Sequence, residues 1–368
     1  IISQTRKLLK GRELDFFLAT PPCQGMSKNG QGKLLKHIRE GDRPEIDPRN
    51  RLIIPTMEIV KKLKPRIVVF ENVPEMENTI INDKNGNYVN IVDFIRNELG
   101  PDYVGQAEVV EFADFGVPQR RKRLITIFTK DDSLKKHFKG NKSFIPKKTH
   151  AKEALNGSLP WVTVRDAIGD LKKLDSKSKD VNSDSENIFH KVPVLDDKKY
   201  FWISNTPEGC GAFDNQCVNK DCLFQGNPTH GSKVKNGINQ SSKTTPLFCV
   251  KCDSLLPRPD VEKDGVKRVM SGLTIAYKRM SWDLPASTLT TNLQYPSSDH
   301  KIHPSQNRVL SLYEAFLLHS LDRYNFQWIL NEGVPAKKTL ITDVIGESIP
   351  PLGLERIFAH LVDLGSKK

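Results

Sequence analysis

The sequence predicts an α/β protein built on an open sheet whose first strands run parallel. Three observations predict it. Residues 14–19 and 66–70 are short apolar runs, and prolines follow each of them, at Pro21-Pro22 and at Pro74. Proline has no N–H for a ladder, so each run reads as a buried strand that must stop there. Between the two runs, Leu52, Ile53, Met57, Val60 and Leu63 recur at helical spacing until Pro65. Strand, helix and strand in that order form a βαβ unit, with both strand tips at one edge of the sheet. Open sheets of this kind hold their ligands at that edge.

Taken in order, residues 1–13 are basic and helix-compatible and feed the first strand. At its tip stands Cys23, with no second cysteine until Cys210. A free cysteine is usually a small buried hydrophobe; placed at a strand tip it is a candidate nucleophile. Residues 24–48 mix Gly25, Gly30, Gly32 and Gly41 with Lys28, Lys33, Lys36, His37, Arg39 and Arg43. That composition suits either an ordinary solvated loop or a mobile one that closes over a polyanion. The helix opened by Asp47-Pro48-Arg49-Asn50 leads to the second strand, which ends in Glu71-Asn72-Val73. The βαβ unit therefore places Glu71 beside Cys23, although the two lie 48 positions apart in sequence. A helix near 88–99 and a strand near 104–111 come next. Gln119-Arg120-Arg121-Lys122-Arg123 then precedes the apolar strand 124–128.

Composition bounds the partners. The 368-residue chain carries a formal charge of +12, which favours a polyanion, and its 37% of hydrophobic residues suffice for a core. No apolar run approaches the length of a membrane span, and six cysteines with five grouped late do not form a secreted disulfide framework. A reducing, intracellular setting is expected.

Thr20-Pro21-Pro22-Cys23-Gln24-Gly25-Met26-Ser27, Glu71-Asn72-Val73 and Gly116-Val117-Pro118-Gln119-Arg120-Arg121-Lys122-Arg123 resemble, in order and spacing, the Pro-Cys, Glu-Asn-Val and Gln-x-Arg-x-Arg motifs of the cytosine-5 DNA methyltransferases. Residues 279–291, Arg-Met-Ser-Trp-Asp-Leu-Pro-Ala-Ser-Thr-Leu-Thr-Thr, resemble that family's ninth motif, and Ile345-Gly346-Glu347-Ser348-Ile349-Pro350-Pro351 its tenth. The resemblance covers about residues 10–130 and 275–368. It implies a Rossmann-like methyltransferase sheet, incomplete at its N-terminal part, with an inserted, mostly irregular and β target-recognition domain. The implied division is 1–130 catalytic, 131–275 target recognition and 276–368 a return to the catalytic domain.

By the same resemblance, Cys23 adds as thiolate to carbon 6 of a cytosine flipped out of double-stranded DNA. Carbon 5 then takes the methyl group of S-adenosylmethionine. Glu71 holds ring nitrogen 3 and the exocyclic amine, Arg123 and Arg121 the carbonyl oxygen and nearby phosphates, and Asn72 orients the strand tip. Pro21, Pro22, Glu347 and Ser348 are implied on the donor side. Gln24, Ser27, Lys28, Arg49 and Gln119 are implied on the DNA side.

The insertion carries its own signal. Cys217 and Cys222 form a C-x4-C pair and Cys249 and Cys252 a C-x2-C pair, with 26 residues between the pairs. This is the spacing of a structural zinc ribbon, with Cys210 or His230 as a substitute ligand and spare thiols as the bland alternative. Such a metal holds up a polar insertion and takes no part in catalysis.

Two departures from the family pattern stand out. No glycine-containing strand–loop–helix for the donor precedes Leu14, so the expectation is one part of a split enzyme, completed by a separate N-terminal methyltransferase subunit. The tenth motif has Glu347 where asparagine is usual, which sets a carboxylate against the donor's own. The readings that remain are an active DNA methyltransferase part, an inactive DNA-binding remnant and an RNA cytosine-5 methyltransferase. The expected location is the cytoplasm of a bacterium or archaeon, at the nucleoid, with restriction–modification among its settings.

Overall fold

In a computed structural model of the chain, the residues described are 1–22, 26, 48–140, 142–154, 157–230, 232–235, 238–241, 245–270, 276–298, 300–330 and 333–366. They form two units. The first comprises Ile1–Phe112, Lys122–Lys148 and Leu354–Lys368; the second comprises Ala113–Arg121 and Thr149–Gly353.

The first unit opens with helix α1 (Ile2–Leu9) and strand β1 (Phe16–Ala19). A 3-10 turn, Pro48–Leu52, leads into α2 (Ile53–Leu63). Helix α2 buries Ile53, Ile54, Met57 and Val60 and stops at Lys64, in the left-handed conformation, just before Pro65. Strand β2 (Ile67–Asn72) is buried at every position, which is why its sequence is an unbroken apolar run up to Glu71. It pairs parallel to β1, Phe16 against Ile67 through Ala19 against Phe70, so the βαβ unit expected from sequence is present. The helix expected near 88–99 is α3 (Ile91–Leu99). Asn90 caps it by accepting from the Val92 and Asp93 amides, and residues 88–90 pair instead with Ile80–Asn82. Strands β3 (Val104–Glu111) and β4 (Lys122–Thr129) complete a four-stranded sheet of order β1-β2-β4-β3, with β4 antiparallel to both neighbours. Helix α4 (Asp132–Lys139) follows β4.

The second unit has little regular structure. Its short helices are α5 (Val164–Ile168), α6 (Asp197–Ser204), α7 (Leu312–Leu318) and α8 (Lys338–Glu347). It carries two hairpins, β5 (Ser232–Lys235) with β6 (Ile238–Ser241), and β7 (Asp260–Lys263) with β8 (Val266–Val269). The last helix, α9 (Pro351–Ser366), starts in the second unit and ends in the first. There Ile357 and Leu361 are buried and the Phe358 ring lies 5.3 Å from Phe16 of β1. Among the described residues no helix is long and apolar enough to cross a membrane.

With few ladders available, the second unit is held by buried polar groups. Ser311 and Glu314 form the capping box of α7 that the sequence announces, and the same Glu314 takes both amino groups of Arg308, at 2.7 and 2.6 Å. Arg279 donates to the carbonyls of Ile203, Thr206, His303 and Gln306 and to the side chain of Asn307. His303 accepts the Ser305 and Gln306 amides at Nδ1, so its proton sits on Nε2 and the ring is neutral. Burial, with Arg308 and Arg279 nearby, pushes His303 down to about 3. Burial alone would raise the Glu314 carboxyl; Arg308 outweighs it and brings it down to about 2.

Both folded values lie below the unfolded ones, so both groups stabilise the fold at neutral pH and cost stability in acid. The His303 contribution is present above the unfolded value of 6.5 and is lost as pH falls toward 3; that of Glu314 is lost below 4.5. Urea unfolding should therefore show about 2 kcal/mol less stability at pH 5 than at pH 7 from His303 alone. In His303→Asn, whose side-chain oxygen can take the place of Nδ1, that slope should be largely gone.

Candidate active site and candidate metal centre

The parallel pairing of β1 and β2 brings both tips to one edge, and Asn72 ties them together. Its Nδ2 donates to the Pro21 carbonyl at 2.9 Å, and its Oδ1 accepts the Val73 amide at 2.9 Å. Asn72 is buried, so both contacts are shielded from water. Glu71 beside it is 4% exposed, and its Oε1 lies 2.7 Å from Arg123 Nε. The sheet register explains the pair. Glu71 is opposite Ile125 of β4, and Arg123 stands two positions from Ile125, on the same face and diagonal to Glu71. A carboxylate can be buried at a strand tip when a guanidinium is held against it in this way. Four consecutive cations in sequence usually mark a solvated turn; here Arg123 is a half-buried partner within the sheet.

Of the other residues expected here, Cys23, Gln24, Ser27 and Lys28 lie outside the described residues. Pro21 is half-buried at Asn72, Pro22 is exposed, and Met26 packs into the core with Ile53 and Phe70. Arg49 lies half-buried in the 3-10 turn ahead of α2.

The remaining motif residues meet within the second unit. Arg121 is fully buried and donates to the carbonyls of Leu289 and Gly346, both at 2.9 Å. Gln119 accepts the Leu289 amide and donates to the Leu318 carbonyl and His319 Nδ1. His319, its other nitrogen protonated, donates to Ser348 Oγ at 3.0 Å. Gly346 is needed for space: a Cβ there would stand 2.6 Å from the Thr290 carbonyl carbon and closer still to the Thr291 nitrogen. Glu347 at the end of α8 is exposed. The Gln-x-Arg-x-Arg segment thus serves both units, Gln119 and Arg121 as internal ties in one and Arg123 as the partner of Glu71 in the other. Sequence reasoning did not single out His319 or Arg279, because their partners lie far away in sequence and no local spacing announces them.

The sulfurs of Cys217, Cys222, Cys249 and Cys252 all lie within 4.8 Å of one another. Two of the separations are 3.7 Å (Cys217–Cys252) and 3.9 Å (Cys222–Cys249). A tetrahedral zinc with sulfur ligands at about 2.3 Å sets sulfurs about 3.8 Å apart, so the group fits that ion. Each pair sits on a tight turn whose next residue, Leu223 at φ 48° or Asp253 at φ 58°, is left-handed. For a non-glycine residue that conformation is costly and needs an external hold. Burial pushes the Cys222 thiol up to about 12, while hydrogen bonds from Ser254 bring Cys252 down to about 6. Four thiols this close do not ionise together without a cation among them. Cys210 is exposed and outside this cluster, and His230 stacks on Phe213 at 4.5 Å.

A sequence profile of the C-5 cytosine-specific DNA methylase family matches residues 1–363. The type II methyltransferase M1.HgaI of Avibacterium volantium is 28% identical over 97% of this chain and 81% of its own length. The type II methyltransferase M1.BsuMI of Bacillus subtilis is 31% identical over 89% of this chain and 60% of its own. Among solved structures, the methyltransferase EhMeth of Entamoeba histolytica aligns with a TM-score of 0.43 at 15% identity, over 98% of this chain and 80% of that one.

The interior ties give a stability prediction. Arg121→Met strands two buried carbonyls, and Gly346→Ala forces the backbone of residues 290–291 to move. Each should lower stability by about 2–4 kcal/mol in urea unfolding. An Arg121→Met chain as stable as the wild type would mean that these carbonyls find other donors.

Proposed function

Since this chain belongs to the C-5 cytosine-specific DNA methylase family, we propose that it methylates carbon 5 of a flipped cytosine within a specific double-stranded DNA sequence, through a covalent bond to Cys23. The observation that carries this reading is the buried Glu71–Arg123 pair at the β2 tip, with Pro21 held alongside by Asn72. Two residues beyond Pro21 the chain reaches Cys23.

Carbon 5 of cytosine is a weak nucleophile. When the Cys23 thiolate adds to carbon 6, the ring's electrons move toward carbon 5 and nitrogen 3, and carbon 5 becomes enamine-like. Glu71, entering this step as the carboxylic acid, gives its proton to nitrogen 3 and accepts from the exocyclic amine, which neutralises the charge on that side of the ring; the proton returns to Glu71 when the Cys23–carbon 6 bond breaks. Arg123 fixes the Glu71 carboxylate and offers its remaining N–H groups to the base carbonyl. After methyl transfer a proton leaves carbon 5, the Cys23–carbon 6 bond breaks, and aromaticity returns.

S-adenosylmethionine supplies the electrophilic methyl group. Pro21, Pro22, Glu347 and Ser348 are the residues assigned to its side. The exposed Glu347 carboxylate suits the donor's hydroxyls or ammonium and opposes its carboxylate, while Ser348 is already engaged by His319. We assign Gln24, Ser27, Lys28 and Arg49 to DNA, and Gln119 and Arg121 to positioning the ninth- and tenth-motif segments. The functional division we adopt is 1–130 and 276–368 for catalysis and 131–275 for target recognition, in a protein working on DNA in a bacterial or archaeal cytoplasm. The relatives, both named as type II methyltransferases, do not favour an inactive remnant or an RNA substrate.

A structural zinc on Cys217, Cys222, Cys249 and Cys252 completes the reading, supported by the sulfur spacing and the two left-handed turns. Metal analysis of the purified chain should return about one zinc equivalent. Cys249→Ser should remove it.

The decisive experiment offers DNA containing 5-fluorocytosine together with the donor, with and without a candidate N-terminal methyltransferase subunit. Without a proton to lose from carbon 5, the adduct on the wild-type chain should persist in denaturing gels, and Cys23→Ser should give none. Glu71→Gln and Arg123→Met should slow adduct formation by about 100-fold or more while DNA affinity stays within a few-fold. Equal adduct from wild type and Cys23→Ser would end the proposal.

A further inference from the structure

Arg258 is fully buried beside the cysteine cluster. Its Nε donates to the Asn215 carbonyl at 2.8 Å, and its Nη1 to the carbonyls of Pro228 and Pro246 at 2.8 and 2.9 Å. Nη2 has no partner among the described residues, and no carboxylate among them forms an ion pair with this side chain. Carbonyls satisfy its N–H groups but leave its charge uncompensated. A full positive charge kept out of water is costly unless a negative one stands near it. Its partners set it against the cluster: Pro228 follows Asn227, whose Nδ2 lies 3.7 Å from Cys249 Sγ, and Pro246 stands three residues before Cys249. Asp214, whose Oδ1 accepts the His230 amide, is exposed, so water screens its charge.

The sulfurs themselves are met by donors. Asn227 Nδ2 points at Cys249 Sγ at 3.7 Å and Asn219 Nδ2 at Cys252 Sγ at 3.8 Å. Neither amide is free to turn away. Asn227 Oδ1 accepts the Val250 amide and Asn219 Oδ1 accepts the Asp221 amide, so each NH2 group faces the cluster, where Asn227 also donates to the Phe224 carbonyl and Asn219 to Ser254 Oγ. Side-chain amides directed at neutral thiols gain little; directed at thiolates they make charge-assisted bonds.

We infer that Arg258 is the internal counter-charge of a dianionic metal tetrathiolate formed by Cys217, Cys222, Cys249 and Cys252, with Asn219 and Asn227 donating to two of its sulfurs. This rests on the zinc reading above and adds its electrostatics. When four thiols take up one divalent ion, four protons leave to solvent and the centre carries a net charge of −2. Arg258 offsets one of those charges, and the amide dipoles spread the other. The surroundings therefore suit a divalent ion that takes four soft ligands, zinc or cadmium, and disfavour a centre with water or carboxylate in place of sulfur.

The test is zinc affinity of the full chain, measured by competition with a chromogenic chelator, in wild type, Arg258→Met, Arg258→Lys, Asn227→Leu and Asp214→Asn. Arg258→Met should bind zinc at least about 10-fold more weakly, Arg258→Lys within about 3-fold of wild type, and Asp214→Asn unchanged. Equal losses in Arg258→Met and Arg258→Lys would mean that the carbonyl bonds matter and the charge does not, which overturns the inference. So would an Asp214→Asn loss as large as that of Arg258→Met. A wild-type chain without metal would instead remove the zinc reading itself. Where Arg258→Met does not fold, Asn227→Leu carries the test: the cadmium–sulfur charge-transfer band of its cadmium form should move to longer wavelength, and an unmoved band counts against the inference.

Discussion

Buried carbonyl groups outside regular ladders must find donors, and in the second unit arginine supplies them. Arg121 gathers Leu289 and Gly346; Arg258 gathers Asn215, Pro228 and Pro246; Arg279 gathers four carbonyls from two loops. Each planar guanidinium presents five N–H groups in a fixed fork, so one side chain can fix the relative position of several irregular segments. A lysine, with its charge on a flexible stem, cannot do this.

The first unit solves its packing by other means. Its sheet satisfies the backbone and its apolar runs fill the core, while at the strand tips Glu71 pairs with Arg123 and Asn72 ties Pro21 to Val73. The site is rigid because each of its groups sits at the end of a strand whose register is already set.

Much of this was legible in the sequence. Prolines marked the ends of β1 and α2, the Ser311 and Glu314 pair marked α7, and the cysteine spacing marked the sulfur cluster. The unreadable part was long-range. The four residues from Arg120 to Arg123 look alike as a run of cations, yet Arg121 and Arg123 have different partners because strand β4 begins between them. Nothing local to Arg258 or Arg279 distinguishes a buried tie from a surface charge. Residues 88–90 read as part of a helix until Asn90 is recognised as its cap.

Gly346 leaves no gap between α8 and the backbone at Thr290 and Thr291, and Arg121 bonds to both sides of that contact. Three stretches distant in sequence are therefore matched to one another like parts of a single casting. A splice between relatives, whether by recombination or by an engineer, has to carry residues 289–291 and α8 together with the segment of Arg121. One that separates them would join surfaces that were never fitted together.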